Sequence, residues 1–172
     1  MTSLEVDIDQ SQDVGNSINP ALDYGQIEGA FIQGQGLFTL EESLWNSKTG
    51  CLSTTGPGTY KIPGFGDIPR EFNVSMLKHD TEGNPISWKH LRSIASSKGV
   101  GEPPLFLGST VFFALREAVR AARKQNGLGE SGLVLDSPAT AEALRCAVGD
   151  QLSRKCVVDK VKEQRPFFVR AS

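Results

Sequence analysis

A single carboxylate in an apolar loop is the first candidate for chemistry in this sequence. In the stretch SSKGVGEPPLFLGS, residues 96–109, Glu102 lies between Gly101 and two prolines, and the nearest basic residue is Lys98. Glycine lets the backbone approach another group closely, and proline fixes the direction of the loop. A carboxylate held against apolar groups is suited to accept a proton as a general base. The alternative is a glutamate that faces water at the start of a helix.

Glycines at helical spacing mark a second candidate region. The pair Asn19–Pro20 is a typical helix start and predicts a helix over residues 20–44. Gly25 and Gly29 lie four residues apart in that helix, so one of its faces is almost bare of side chains. Because each interior glycine costs about 1 kcal/mol relative to alanine, a close contact must compensate. That contact is either a helix or strand packed along the bare face or a bulky cofactor.

The composition excludes several classes of function. The 172 residues include 18 basic and 20 acidic side chains, and a net charge of -2 gives no electrostatic argument for nucleic acid or an anionic membrane as partner. The apolar runs are too short to span a bilayer, and no secretory signal pattern is visible. Cys51, Cys146 and Cys156 lack zinc-ligand spacing and indicate free thiols in a reducing compartment.

Hydrophobic periodicity predicts the remaining extended segments and short helices. Residues 4–8 and 71–78 alternate apolar and polar side chains, which is typical of strands. Residues 79–98 are polar and predict a loop with a short helix around Trp88–Ile94. The motif SPAT predicts a helix that has Thr140 as its N-cap and runs to about Leu152.

The most regular helical pattern is VFFALREAVRAARKQ, which begins after a cap at Ser109 or Thr110 and is closed by Asn126–Gly127. Its spacing predicts a buried stripe formed by Val111, Phe112, Leu115, Ala118, Val119 and Ala122. Its basic residues predict a solvated face formed by Arg116, Arg120, Arg123 and Lys124.

Four ordered segments of the sequence resemble one known family. They are DVGNSINPALDYGQIEGAFIQGQGLFTLEE, GPGTYKIPGFGDIPREFNVSML, SKGVGEPPLFLGSTVFFALREAVRAAR and LDSPAT. Over about residues 13–152, they resemble the C-terminal part of the molybdenum-cofactor domain of xanthine dehydrogenases and aldehyde oxidases. GEPPLF favours the xanthine dehydrogenase type, although some aldehyde oxidases share GEPP.

The resemblance implies an architecture for the chain. It implies an α+β fold in which a small mixed sheet is packed by the long glycine-rich helix and two further helices. Residues 1–156 then form a partial second molybdopterin-binding subdomain, and residues 157–172 form a tail. Because the first half of the family's cofactor domain does not appear in this sequence, we expect some apolar surface to be exposed.

The resemblance also implies roles for particular residues. Glu102 occupies the position of the family's general base, which takes the proton from the oxygen nucleophile that attacks the substrate carbon. Gln26 matches the glutamine that hydrogen-bonds the pterin of the molybdenum cofactor, and Gly25, Gly29 and Gly101 are expected to lie against that cofactor. The resemblance implies no protein side chain of this segment as a metal ligand.

The resemblance implies a context beyond this segment as well. The family enzymes are homodimeric oxidoreductases that hydroxylate purines, aldehydes or N-heterocycles with water as the oxygen source, as in purine catabolism. They also carry 2Fe–2S iron clusters and FAD, whose sites are absent from this sequence. We expect a cytoplasmic enzyme, since the final Arg-Ala-Ser is no peroxisomal address, and we expect this segment alone to be inactive. The alternative is a truncated fragment that acts at most as an interaction module.

Overall fold

The computed structural model describes residues 8–15, 17–77 and 98–155. In chain order its elements are β1 (Ile8–Gln12), α1 (Pro20–Thr39), a turn of 3₁₀-helix (Phe65–Asp67), β2 (Phe72–Met76), α2 (Pro103–Leu107), α3 (Ser109–Gln125), α4 (Ala141–Val148) and α5 (Gln151–Lys155). The short helix predicted around Trp88–Ile94 and the tail predicted at 157–172 lie outside the described residues.

Contacts between Cα atoms divide the chain into two compact units. Unit 1 comprises Met1–Gln35 and Pro63–Ser109, and unit 2 comprises Gly36–Ile62 and Thr110–Ser172. Helix α1 therefore contributes to both units. The expected combination of helices with a small sheet is confirmed for the described part of the chain.

The sheet of unit 1 consists, in the described residues, of two parallel strands, so the expected mixed sheet is not what they form. β1 pairs with β2 in a register that runs from Ile8 opposite Phe72 to Gln12 opposite Met76. Parallel strands need a long crossover connection, and α1 lies in that connection. β2 confirms the strand predicted over residues 71–78. Of the strand predicted over residues 4–8, only Ile8 lies within the described residues, where it belongs to β1.

The apolar centre of unit 1 lies where α1 faces β2. Ile27 and Phe31, one helical turn apart on α1, are almost fully buried, and so is Val14 just after β1. The rings of Phe31 and Phe72 lie 5.3 Å apart and are tilted by 57°, a favourable aromatic geometry. This cluster holds the early part of α1 against the sheet.

Helix α1 ends at Thr39, five residues before the predicted end at residue 44. Beyond the helix the chain turns back on itself, and Trp45 pairs with Leu52 in an isolated antiparallel bridge. One of the last carbonyls of the helix, that of Phe38, accepts a hydrogen bond from the backbone N–H of Ala139 at 2.8 Å. Helix ends need such partners because no N–H group inside the helix donates to their final carbonyls.

The core of unit 2 forms around α3. Val119 is buried with Leu135, Ala139 and Ala147, and Phe112 packs against this cluster. The predicted buried stripe of α3 is therefore confirmed at its centre, but Ala118 is exposed.

Arg123 departs most clearly from the sequence prediction, because it is buried rather than solvated. Its guanidinium donates to the carbonyl oxygens of Gly129, Ser131 and Ala147 at distances of 3.0–3.2 Å. The side chain therefore ties the loop that follows α3 and the end of α4 to α3. A planar group with five N–H donors can satisfy several carbonyls at once, which lysine cannot do in the same way.

The predicted helix after SPAT is present but interrupted. Thr140 caps α4 as expected, and its side chain accepts a hydrogen bond from the backbone N–H of Ala143 at 3.2 Å. Gly149 then adopts a left-handed conformation with φ 66°, which ends the helix. The chain restarts as α5, where the backbone N–H of Ser153 and the guanidinium of Arg145 lower the pKa of Asp150 to about 2.

Several large apolar side chains are exposed, as expected. Phe65 is 95% exposed, Ile18 79% and Phe106 71%, so these large apolar side chains are mostly in contact with solvent. Among the described helices, none is both long enough and apolar enough to cross a membrane.

Candidate functional site

The site of unit 1 depends on a contact between the backbones of α1 and α2. A Cβ added to Gly34 of α1 would overlap the carbonyl oxygen of Leu105 and lie 2.9 Å from its carbonyl carbon. A Cβ added to Gly108, which follows α2, would lie 2.5 Å from the carbonyl carbon of Gly34. Both positions are buried, and only glycine allows the two backbones to approach so closely. This contact fixes where α2 begins relative to α1.

Glu102 is the N-cap residue of α2 and is exposed. The two prolines that follow it occupy the first turn, where their missing N–H groups cost nothing, and Pro104 is buried. The Glu102 carboxylate forms no capping bond and folds back over Gly99, where an added Cβ would lie 3.1 Å from Oε2. The carboxylate is therefore accessible, and the described residues do not surround it with apolar groups as the sequence suggested.

Gln26 lies next to the loop that carries Glu102. A Cβ added to Gly101 would lie 2.9 Å from the side-chain Oε1 of Gln26, so the amide fills the space that the glycine leaves open. Gln26 is exposed and lies early in α1. Three of the predicted site residues, Gln26, Gly101 and Glu102, are thus brought together although they come from opposite ends of unit 1.

Gly25 and Gly29, unlike Gly34, are not packed against another backbone segment among the described residues. A Cβ added at either position meets no atom within 4 Å, so neither glycine is needed for packing among the described residues. Both are exposed and share α1 with Gln26. Gly34 lies on another side of α1, so the backbone packing at Gly34 does not involve the bare face, and that face at Gly25 and Gly29 is open among the described residues.

Two buried polar atoms near the start of α1 were not singled out from the sequence. The side-chain oxygens Ser17 Oγ and Asp23 Oδ2 are buried and have no hydrogen-bond partner among the described residues. Asp23 precedes Gln26 by three residues, so the two lie on adjacent turns of one helix face. A buried oxygen that accepts no hydrogen bond costs folding free energy. In the sequence, the position of Asp23 in the first turns after the Asn19–Pro20 helix start is the signal that could have identified it.

The site contains acceptors, an amide and a carboxylate, but no metal-ligand cluster. Within the described ranges, no three His, Cys, Asp or Glu side chains come close enough together to hold a metal ion. An amide can both donate to and accept from a heterocycle edge, and an open glycine face allows a flat group to approach the backbone. The arrangement therefore suits a polar heterocyclic group that is bound by hydrogen bonds.

Substitution of Gly34 by alanine is expected to destabilise the chain by about 1–3 kcal/mol or more, because the new methyl group meets backbone that cannot move aside. The matched control is Gly29→Ala in the same helix, where the added methyl meets open space. The control is expected to raise stability by up to about 1 kcal/mol through helix propensity. Urea unfolding of both variants measures the difference, and shifts of equal sign and size would contradict the packing described.

Comparisons with known proteins define the class of this domain. A family model described as "Molybdopterin cofactor-binding domain" matches residues 5–69. A xanthine dehydrogenase from Emericella nidulans is 54% identical over 98% of this chain, and a nicotinate hydroxylase from the same organism is 55% identical over 94% of it. The chain spans 12% and 10% of the lengths of these relatives.

A solved structure agrees with the sequence comparisons. The crystal structure of quinoline 2-oxidoreductase from Pseudomonas putida 86 matches 81% of this chain and 15% of its own chain, with a TM-score of 0.59 and 26% identity. The described fold is thus that of a segment of a molybdopterin cofactor-binding domain. The chain belongs to the xanthine dehydrogenase/aldehyde oxidase family of molybdenum hydroxylases.

Proposed function

We propose that this chain forms one wall of the molybdopterin site in a molybdenum hydroxylase, with Gln26 as a cofactor ligand and Glu102 as the general base. The observation that carries the proposal is the adjacency of Gln26 and the Gly101–Glu102 loop. A hydrogen-bonding group for the pterin and a carboxylate for the reaction then lie on one accessible surface.

The residues present fit such a cofactor. Gly25 and Gly29 leave an open strip of backbone beside Gln26, and a side chain at either position would reach into that strip. The orphaned oxygens of Ser17 and Asp23 are acceptors that a donor-bearing heterocycle can satisfy. When bound, the cofactor supplies the two-electron oxidation and an activated water-derived oxygen.

The chain's own contribution is to bind and to move a proton. The Gln26 amide orients the pterin edge by donating and accepting hydrogen bonds. The Glu102 carboxylate, which makes no capping hydrogen bond, would accept a proton from the water-derived oxygen that the bound cofactor supplies. The rigid start of α2 keeps that carboxylate at a constant position, because Pro103 and Pro104 restrict the backbone there.

The substrate class that we propose is a nitrogen heterocycle. The relatives and the structural neighbour are named for xanthine, nicotinate and quinoline, which are all nitrogen heterocycles. The chain spans about a tenth of those relatives, and we propose that the activity belongs to a longer polypeptide that brings the rest of the pocket, 2Fe–2S clusters and FAD. We propose that this enzyme is a cytoplasmic homodimer.

Substitution of Gln26 by leucine in the full-length enzyme is expected to lower the molybdenum content of the purified protein several-fold, since leucine fills a similar volume but offers no hydrogen bond. Gln35→Leu is the matched control, because Gln35 lies on the same helix but donates to the carbonyl of Asp67 at 2.8 Å. Elemental analysis for molybdenum, with flavin as internal standard, measures the effect. Full molybdenum occupancy in Gln26→Leu would remove Gln26 from the cofactor site.

A further inference from the structure

The segment that carries Glu102 is attached to the end of β1 by three contacts. The backbone N–H of Lys98 donates to the carbonyl oxygen of Val14 at 3.1 Å, and Lys98 Nζ forms an ion pair with Asp13 Oδ2 at 2.6 Å. Gln12 Nε2 donates to the carbonyl oxygen of Val100 at 2.9 Å. Residues 12–14 therefore contact residues 98–100 in opposite chain directions, immediately before Gly101 and Glu102.

These contacts differ in how far they are exposed to solvent. Gln12 is buried, so its hydrogen bond to Val100 is partly shielded from water. The ion pair is partly exposed, with 45% of the Lys98 side chain and 31% of the Asp13 side chain accessible, and ion pairs of this kind contribute little to global stability. Asp13 is itself held in place, because its Oδ1 accepts a hydrogen bond from the backbone N–H of Gly15 at 3.0 Å. The ion pair thus joins the Asp13 carboxylate, which is held by Gly15, to the loop that carries Glu102.

The prolines of α2 restrict the backbone after Glu102, but no proline restricts the described residues 98–101 before Glu102. Its carboxylate makes no capping bond, and residues 99 and 101 are glycines that leave the backbone free to rotate. On one side, α2 is fixed against α1 by Gly34 and Gly108. On the other side, the restraint comes from the end of β1.

We infer that Asp13 and Lys98 are positioning residues, which together with the Gln12 hydrogen bond set the location of the Glu102 carboxylate relative to Gln26. This inference rests on the proposed function of Glu102 for its catalytic consequence. Its structural consequence, the ordering of residues 98–102, is independent of that function. Loss of the ion pair should release the loop and leave the rest of the unit folded.

The test uses the full-length holoenzyme with the substitutions Lys98→Met, Lys98→Arg and Asp13→Asn. Lys98→Met is expected to increase the amide hydrogen exchange of residues 98–102 by about tenfold and to lower kcat by between tenfold and about 10²-fold, with KM, Tm and molybdenum content unchanged. Asp13→Asn should have the same effect, because asparagine can still accept from Gly15 but carries no charge. Lys98→Arg should retain wild-type exchange and kcat, because it restores the ion pair.

The control for loss of a lysine charge is Lys124→Met, an exposed residue of α3. The inference is overturned if Lys98→Met leaves the exchange of residues 98–102 unchanged, or if it lowers Tm and molybdenum content in parallel with kcat, as a purely structural defect would. Glu102→Gln in the same enzyme separates the two proposals. A large loss of kcat in Glu102→Gln without any effect of Lys98→Met would leave the general base intact and reject the positioning role.

Discussion

Replacement of Glu102 by glutamine in the full-length enzyme is expected to lower kcat by about 10²- to 10⁴-fold, which is the contribution of a positioned general base. Glutamine keeps the size and shape of the side chain but cannot accept the proton. Since Glu102 is exposed at the start of α2 and makes no capping bond, the substitution should not disturb the fold. Steady-state hydroxylation of a purine or other N-heterocycle measures the loss.

The molybdenum content of Glu102→Gln should equal that of the wild type, so that the loss belongs to kcat and not to occupancy. Glu130→Gln, which changes an exposed glutamate of unit 2, is the matched control and should retain wild-type kcat. Near-normal turnover of a fully loaded Glu102→Gln enzyme would end the general-base assignment.

Replacement of Arg123 by methionine is expected to destabilise the chain by about 3 kcal/mol, because one substitution removes the donor of several buried or partly buried hydrogen bonds. Methionine keeps most of the apolar stem, so the change isolates the guanidinium. The carbonyls of Gly129, Ser131 and Ala147 then lose their donor in a place where Arg123 is only 8% exposed. Urea unfolding followed by circular dichroism measures the change.

Lys124→Met is the control for this prediction, because it makes the same substitution at the next position, where the side chain is exposed. It should change stability by no more than about 0.5 kcal/mol. Lys is a poor substitute for the planar guanidinium, so Arg123→Lys should recover only part of the loss. Equal stability of the Arg123→Met and Lys124→Met variants would show that the buried bonds of Arg123 have no net value.

The parts of the fold that the sequence predicts well are those with local signals. Thr140 caps α4 because a threonine side chain reaches the N–H three residues later, and β2 forms where Phe72, Val74 and Met76 alternate with polar residues. The start of α1 follows from Asn19–Pro20 in the same way. Such signals act within a few residues and need no tertiary contact.

The misjudged features depend on distant parts of the chain. Arg123 is buried because carbonyls of the loop after α3 and the carbonyl of Ala147 in α4 converge on it, and nothing in the helical spacing of α3 distinguishes it from Lys124. Gly34 and Gly25 look alike in a glycine-rich helix, yet only Gly34 faces Leu105. For the same reason, the hydrogen bond from Gln12 to Val100 could not be foreseen from either segment.

The site could be predicted only in part from the sequence. Motif resemblance pointed to Gln26 and Glu102 separately, and the structure adds that Gln26 lies against Gly101, the residue before Glu102. Among the described residues, Glu102 lacks the apolar surroundings expected from its loop composition: it is exposed, and so are Phe106 and Leu107. A helix-start loop exposes its N-cap side chain unless another segment covers it.

The most direct test of the central claim is a structure of the full-length holoenzyme with its cofactor bound. We predict that the Gln26 amide lies within hydrogen-bond distance of the pterin and that the Glu102 carboxylate faces the reactive end of the same cofactor. A cofactor that lies away from both residues, with Glu102 facing solvent, would contradict the assignment of this surface as a wall of the molybdopterin site.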